Sequence, residues 1–360
     1  MNRIVKIGPY EVGEGLRPVV IAEAGINHNG DLNIAREMVR VAKKTGADIV
    51  KFQTHIAQAE MLAGDGISSE AGSHVTRSLF DIMTESALTL EEHLELKKEA
   101  ERLGILFLST PFSIEAVELL EKAGVLAYKI GSGEVTNLPF LKYVAKKGKP
   151  IILSTGTANW KEVVTAVNTI KEYNSDLILM QCTSNYPTPY ENVNLGVIEK
   201  MMREFKIPVG LSDHCPGNYA CFGAVAMGAC IVEKHFTISR LLPGIDQNSS
   251  VEPRELEELV TGVRAIFLAL GNKKELNPEA LKVRHGFSES IVTIRDIKLG
   301  EEFKERINIW VKRPGYGMPS YELSSVVGKY ASRNLLKDYL LKSEDISDTL
   351  SILKQKKSKK

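Results

Sequence analysis

Eight short apolar runs, each followed by an amphipathic helical stretch, constrain this chain more than any other feature. The runs are VVIAEA (19–24), ADIVKFQT (47–54), ILFLST (105–110), LAYKIGS (126–132), PIILST (150–155), LILMQCT (177–183), IPVGLS (207–212) and ACIVEKHF (229–236). They are nearly continuous in Val, Ile, Leu and Ala, as strands covered on both faces are. Between them, LNIAREMVRVAKKTG (32–46) puts Ile34, Met38, Val39, Val41 and Ala42 on one helical stripe and stops at Gly46. LTLEEHLELKKEAERLG (88–104) does the same with Leu90, Leu94, Leu96 and Leu103. Residues 113–124, 138–148, 160–173, 195–205, 216–228 and 254–271 complete the alternation, and several of these helices close on glycine. Eight strand–helix units in about 250 residues is the count of an α/β fold of the (β/α)8 TIM-barrel type. A doubly wound open sheet is the competitor. Against it, the first strand–helix turn, AEAGINHNGDL, lacks the GxGxxG spacing expected there.

The rhythm breaks twice. Residues 55–87 form a long connection on the face where a barrel keeps its active site. The breaker-rich stretch after residue 272 reads as a linker. The expected division is a barrel over 1–272, a linker over 273–286, a small β-rich module over 287–350 and a basic tail over 351–360. Within the module, SIVTIRDIKLGEEF and ASRNLLKDYLLKSEDI share a loose pattern of short strand, turn and acidic end, suggesting a pseudo-repeat.

Charge and composition narrow the function class. The chain carries 46 Lys and Arg against 45 Asp and Glu, which argues against a general electrostatic grip on nucleic acid. No run of apolar residues reaches membrane-span length, and the N-terminus lacks the apolar core of a signal peptide. Cys182, Cys215, Cys221 and Cys230 form no CxxC pair, so reduced thiols in a cytoplasmic protein are expected. Each is either a nucleophile or a small buried hydrophobe. GxSxG, HExxH and P-loop motifs are absent.

In a barrel, polar residues at the C-terminal ends of strands are candidates for chemistry. Here they recur in phase: Glu23, then Lys51 and Gln53, Thr110, the group Lys129, Ser132 and Glu134, Ser154 with Thr155, Thr183 with Ser184 and Tyr186, Ser212 with His214, and Glu233 with His235. His214 and His235 end adjacent strands. Two converging imidazoles suggest a divalent ion, Mn²⁺, Co²⁺ or Zn²⁺, acting as a Lewis acid, with paired core histidines as the alternative. His28 is a weaker candidate. Lys51 and Lys129 face one cavity. With hydroxyls at Thr110, Ser132 and Ser154 and glycines at 131, 133 and 156, they form a cradle for a small phosphorylated, carboxylated anion. Alternatively, structural ion pairs join the lysines to Glu23, Glu134 or Glu233.

Nine segments in order carry a resemblance: IAEAGINHNGDL, VKFQT, FLSTPF, YKIGSGE, ILSTG, CTSNYPTPYE, GLSDH, EKHF and, in the terminal module, IWVKRPGYG. Over residues 18–345 the chain resembles the N-acetylneuraminate (sialic acid) synthase family, and its last module resembles that family's antifreeze-like (SAF) domain. The resemblance implies condensation of phosphoenolpyruvate with an open-chain N-acetylated amino sugar, classically N-acetylmannosamine, giving a nine-carbon keto acid and phosphate. It assigns catalytic roles to Glu23, Glu134, His214 and His235, with the two histidines holding Mn²⁺ foremost, or Co²⁺ or Mg²⁺. Phosphoenolpyruvate would be bound by Lys51, Thr110, Lys129, Ser132, Ser154 and Ser212. The amino sugar would meet Gln53, Glu134, Ser184, Tyr186 and Asp246, with Phe287 against the N-acetyl methyl. Arg313 would enter the barrel mouth from a partner subunit of a domain-swapped homodimer. The family's bacterial N-acetylneuraminate synthases commonly carry Asn where this chain has Ser184. The Ser form is also found in relatives making pseudaminic acid and in animal enzymes using a phosphorylated sugar. N-acetylneuraminate synthesis is therefore the main expectation. A synthase for legionaminic acid, pseudaminic acid or a spore-coat sugar is the alternative.

Overall fold

In the computed structural model, which describes residues 3–63 and 78–349, every apolar run expected as a strand forms one. A hairpin of β1 (Val5–Ile7) and β2 (Tyr10–Val12), not anticipated from the sequence, comes first. The eight expected strands follow as β3 (Val19–Gly25), β4 (Ile49–Thr54), β5 (Leu106–Pro111), β6 (Tyr128–Ile130), β7 (Ile151–Ser154), β8 (Leu177–Cys182), β9 (Val209–Asp213) and β10 (Ile231–His235). All pair in parallel with their sequence neighbours except across the β5–β6 seam, where no ladder forms among the described residues. The last strand pairs with the first, from Ile231 opposite Val19 to His235 opposite Glu23. That closing ladder decides for the barrel over the doubly wound sheet.

The period of two along a strand sorts the side chains. Ile21, Ile49, Leu108, Ala127, Ile152, Met180 and Ile231 point inward and are fully buried. With Val5, Ile7 and Val12 of the hairpin they fill the lower barrel with hydrocarbon. Two residues further on, the same inward phase brings Glu23, Lys51, Thr110, Lys129, Ser154, Cys182 and Glu233, so the upper barrel turns abruptly polar. Residues of the opposite phase, such as Val20, Ala22, Val50, Phe52 and Phe107, pack under the helices. Gly210 is required on β9, because a Cβ there would lie 2.2 Å from Ile231 Cγ2.

The helices obey their local signals. Asp31 caps helix Leu32–Lys44 by accepting from the Asn33 and Ile34 N–H groups, and the helix buries Ala35, Met38, Val39 and Ala42. In Leu90–Leu103 the buried stripe is His93, Leu96 and Ala100 rather than the expected leucine stripe, and Leu94 is exposed. Thr54 Oγ1 lies 2.8 Å from His93 Nε2, which is why a histidine is stable there. Of the long connection 55–87, residues 64–77 lie outside the described residues; the remainder holds helices Ala57–Glu60 and Leu79–Ser86. Among the described residues no helix is long and apolar enough to cross a membrane.

Met1–Gly271 and Asn272–Lys360 are two compact units. The stretch expected as a linker carries a helix, Pro278–Phe287. In the second unit, β11 (Ser290–Thr293) pairs antiparallel with β12 (Ile309–Lys312), and β13 (Tyr330–Ala331) with β14 (Ile346–Ser347). The core is Ile291, Ile297, Phe303, Ile309, Val326, Ala331, Leu335 and Leu341. The two pseudo-repeat segments meet here: Ile297 and Leu335 exchange both backbone hydrogen bonds at 2.8 Å. The basic tail 351–360 lies outside the described residues.

Candidate active site

At the C-terminal mouth of the barrel, a cavity of about 170 Å³ is lined by the inward residues of the strands and the loops that follow them. Its base holds four buried charges. Lys51 Nζ lies 2.6 Å from Glu23 Oε2 and 3.7 Å from Glu233 Oε2, and donates to Thr110 Oγ1 at 2.9 Å. Lys129 Nζ donates to Ser154 Oγ at 2.7 Å and sits 3.3 Å from Glu233 Oε1. Ser212 Oγ donates to the same Glu233 oxygen at 3.0 Å. The lysines line the cavity and are at the same time paired with Glu23 and Glu233, two of the three carboxylates named as structural partners. Glu134 is not among their partners; its Oε2 accepts from Asn137 Nδ2 at 2.7 Å, and burial raises its pKa.

Burial pushes the Glu23 carboxyl up to about 7, with Lys51 opposing and Glu233 adding to the shift. Glu233 goes the other way, because Lys129 and Lys51 outweigh the burial that would raise it. Burial also lowers Lys129. Its ammonium therefore has free energy to gain from an incoming anion.

The two expected histidines do converge. Their ring centroids are 5.4 Å apart, and the Tyr186 ring lies 4.0 Å from His214 and 5.9 Å from His235. His214 Nδ1 faces the Thr183 carbonyl oxygen at 2.9 Å, so it carries the proton and leaves Nε2 as the free donor atom. Burial, reinforced by His214, holds His235 well below its ordinary pKa, so its ring is neutral. His235 Nδ1 is buried without a hydrogen-bond partner, 3.7 Å from Asp246 Oδ2. An orphaned buried nitrogen costs ~1–3 kcal/mol, a cost that a coordinated ion removes. Burial would lower the His214 pKa, but Cys182 and the Thr183 carbonyl outweigh it and raise it, so only His235 is held neutral. Once deprotonated, the two imidazoles on adjacent strands fit a divalent cation. Among the described residues no set of three His, Cys, Asp or Glu side chains has metal-ligand spacing, so oxygen donors from water or substrate would complete the shell. His28 lies elsewhere, accepting from the Gly30 N–H at 3.1 Å with its ring against Phe52.

Gln53 Nε2 donates to Glu23 Oε1 at 3.0 Å. Ser132 Oγ accepts from the Gly156 N–H at 2.8 Å, and Ser184 and Tyr186 line the same cleft. Gly156 must lack a side chain, since a Cβ would fall 2.5 Å from Ser184 Oγ. Phe287 and Arg313 belong to the second unit, where the exposed guanidinium lies 5.4 Å over the Phe287 ring.

Two further residues join the site without having been singled out for it. Cys182 lines the cleft, its Sγ 3.6 Å from Ser132 Oγ; it follows Ile178 and Met180 in the inward phase. Phe112 follows Thr110 in phase and stacks on His55 at 4.4 Å. Phe112 carried no chemical signal, because apolar side chains are expected everywhere, and Cys182 was read only as a nucleophile or a small buried hydrophobe. All four cysteines are buried and free, and burial raises the thiol pKa of Cys215, Cys221 and Cys230.

A family model described as the NeuB family matches residues 38–275. The chain belongs to the NeuB family. A second model, described as the SAF domain, matches residues 288–347 of this NeuB-family chain. The N,N'-diacetyllegionaminic acid synthase of Campylobacter jejuni is 39% identical over 335 residues, covering 91% of this chain and 99% of the relative. A pseudaminic acid synthase of the same species is 36% identical over 330 residues, covering 91% and 96%. Among solved structures, the N-acetylneuraminic acid (sialic acid) synthetase of Leptospira borgpetersenii in complex with citrate matches with a TM-score of 0.71 at 35% identity, over 79% of this chain and 95% of that one. The resemblance read from nine short motifs and the barrel-plus-SAF architecture are thus both shown.

Proposed function

We propose that this chain condenses phosphoenolpyruvate with an open-chain N-acetylated amino sugar and water, giving a nonulosonic acid and phosphate, and that its acceptor is a diacetamido sugar of the legionaminic or pseudaminic type. The observation that carries the reaction class is the juxtaposition of Lys51 and Lys129 with two converging imidazoles in one cleft. N-acetylneuraminate synthesis, the main expectation from the motifs, becomes the second reading. Relatives named for legionaminic and pseudaminic acids match the chain at 39% and 36% identity, and Ser184 lines the cleft where bacterial N-acetylneuraminate synthases commonly have Asn. The match to a solved sialic acid synthetase keeps the second reading in play.

Lys51 and Lys129 would hold the phosphate and carboxylate of phosphoenolpyruvate, with hydroxyls from Thr110, Ser132, Ser154 and Ser212 filling the remaining acceptor directions. His214 and His235 would hold a divalent ion, Mn²⁺ foremost, whose contribution when bound is Lewis-acid polarisation of the sugar aldehyde. The enol carbon C3 attacks aldehyde C1, water adds to C2, and phosphate leaves by C–O cleavage. Glu23, with a carboxyl near neutrality, takes the proton from the water that adds to C2. Gln53, Ser184, Tyr186, Asp246 and Glu134 would orient the acceptor. Arg313 and Phe287 would complete the mouth from the SAF unit of a partner subunit. No activated nucleophile is needed, since no covalent enzyme intermediate forms.

The test is a panel of acceptors at fixed phosphoenolpyruvate, read by phosphate release and product mass. Diacetamido sugars should exceed N-acetylmannosamine in kcat/KM by about tenfold or more. The reverse order restores the second reading, and silence with every amino sugar overturns the reaction class.

A further inference from the structure

A line of buried and half-buried polar contacts runs from the reacting end of the cleft to helix Ala57–Glu60. Lys51 Nζ meets Glu23 Oε2 at 2.6 Å, and Glu23 Oε1 meets Gln53 Nε2 at 3.0 Å. Gln53 Oε1 meets His55 Nε2 at 3.1 Å, and His55 Nδ1 meets the two Glu60 oxygens at 3.0 and 3.2 Å. The His55 and Glu60 side chains are only 5% and 6% exposed. Phe112, which lines the cleft, stacks on the His55 ring with an interplanar angle of 12°.

Donor and acceptor identities fix the direction of every link. Lys51 can only donate, so Glu23 accepts from it, and in the ionised form that acts as base the other Glu23 oxygen accepts the Gln53 amide N–H. Gln53 Oε1 therefore faces His55 and needs a donor, so His55 Nε2 carries a proton. Glu60 offers acceptor oxygens to Nδ1. Were the Gln53 amide to flip, its oxygen would oppose Glu23 Oε1 and its NH₂ would oppose the His55 Nε2–H. Both contacts would repel.

We propose that His55 is a positioning residue that locks the Gln53 amide in one orientation and thereby sets what Gln53 presents to Glu23 and to the amino sugar. The substrate half of this proposal rests on the function proposed above. Phe112 holds the ring flat, and Glu60 holds it by Nδ1. Sequence position hides this role, because residue 55 lies just past the end of β4 at Thr54, and only the chain's turn into helix Ala57–Glu60 brings its ring back onto Gln53.

The test compares His55→Phe, which keeps the stack and removes both ring nitrogens, with His55→Gln, Gln53→Leu and the His55→Phe/Gln53→Leu double variant. His55→Phe should cut kcat/KM for the amino sugar by about tenfold or more while the phosphoenolpyruvate KM stays within about twofold. His55→Gln should recover most of that loss. The double variant should be no worse than Gln53→Leu alone, because both act through one amide. Additive losses overturn the proposal; a merely structural role, pinning the helix to β4, would produce them. Independently of turnover, the ring ¹⁵N resonances of His55 in the wild type should report a protonated Nε2, and an unprotonated Nε2 overturns the proposal outright. Should the wild type turn over no amino sugar, the proposed function fails and those resonances alone decide the role of His55. They decide it equally if His55→Phe does not fold.

Discussion

Lys234 Nζ lies 2.6 Å from Asp213 Oδ2, both side chains sealed from water, on the outer face of β10 and β9. The next residue along each strand is a cleft histidine, His235 and His214, pointing the opposite way. The pair is further anchored by the Cys215 N–H on Asp213 and by the Cys215 carbonyl accepting from Lys234. Removing one partner strands a buried charge, so Asp213→Asn or Lys234→Met should cost ~3–5 kcal/mol in denaturant unfolding. The fraction that folds should bind Mn²⁺ about tenfold more weakly by calorimetry, as loss of an outer support does in metal sites. Wild-type stability together with wild-type metal affinity would remove the ion pair from this role.

Lys129→Met deletes the ammonium that meets both Ser154 and Glu233. The phosphoenolpyruvate KM should rise by about 100-fold, the scale of a lost charge-assisted contact in a buried site. The amino-sugar KM should move much less. Initial rates at varied concentrations of each substrate separate the two.

His235→Ala removes one of the two nitrogens proposed to hold the ion. Phosphate release should cease, and excess Mn²⁺ should not restore it. In the wild type, chelation should abolish turnover reversibly. A His235→Ala enzyme working at normal rate would end the metal proposal.

His28 supplies a pH dependence independent of the metal. Burial pulls its pKa down to about 4. An unfolded histidine titrates near ~6.5, so between these values the unfolded chain takes up a proton that the folded chain refuses. Stability from this site is complete above about pH 6.5 and declines as pH falls toward 4, by ~3 kcal/mol in all. The wild type should lose this much more than His28→Gln between pH 7 and pH 4, measured by urea midpoints. Parallel curves would show that His28 does not set the decline.

Arg313→Ala tests the contribution of the SAF unit. The guanidinium is exposed over Phe287 and free to meet a substrate oxygen. The amino-sugar KM should rise by about tenfold or more with the phosphoenolpyruvate KM unchanged. If neither constant moves, the arginine supplied by a partner subunit is wrong.

Much of the site was legible because strand periodicity is local. Reading every second residue from Ile21, Ile49 and Ile231 leads without coordinates to Glu23, Lys51 and Glu233. The misses have equally physical causes. Helix Leu90–Leu103 buries His93 and exposes Leu94, because the phase of the stripe is set by which face meets the barrel, and Thr54 supplies the hydrogen bond that makes a histidine acceptable there. Helix Pro278–Phe287 was hidden by flanking breakers, although Pro278 sits where a helix tolerates proline and Asn277 caps it.

The sequence by itself determined the eight barrel strands, the helices that alternate with them, and which residues could face the interior, since each of these follows from spacing within a few residues; the SAF module was read from its resemblance. Only the tertiary structure decided that β10 closes on β3, that Glu23 and Glu233 share Lys51, and that His55 turns back onto Gln53. Those contacts join residues whose proximity depends on closure of the barrel or on the course of a loop, and the pairing of charges and hydrogen-bond donors across such gaps leaves no periodic trace in the chain.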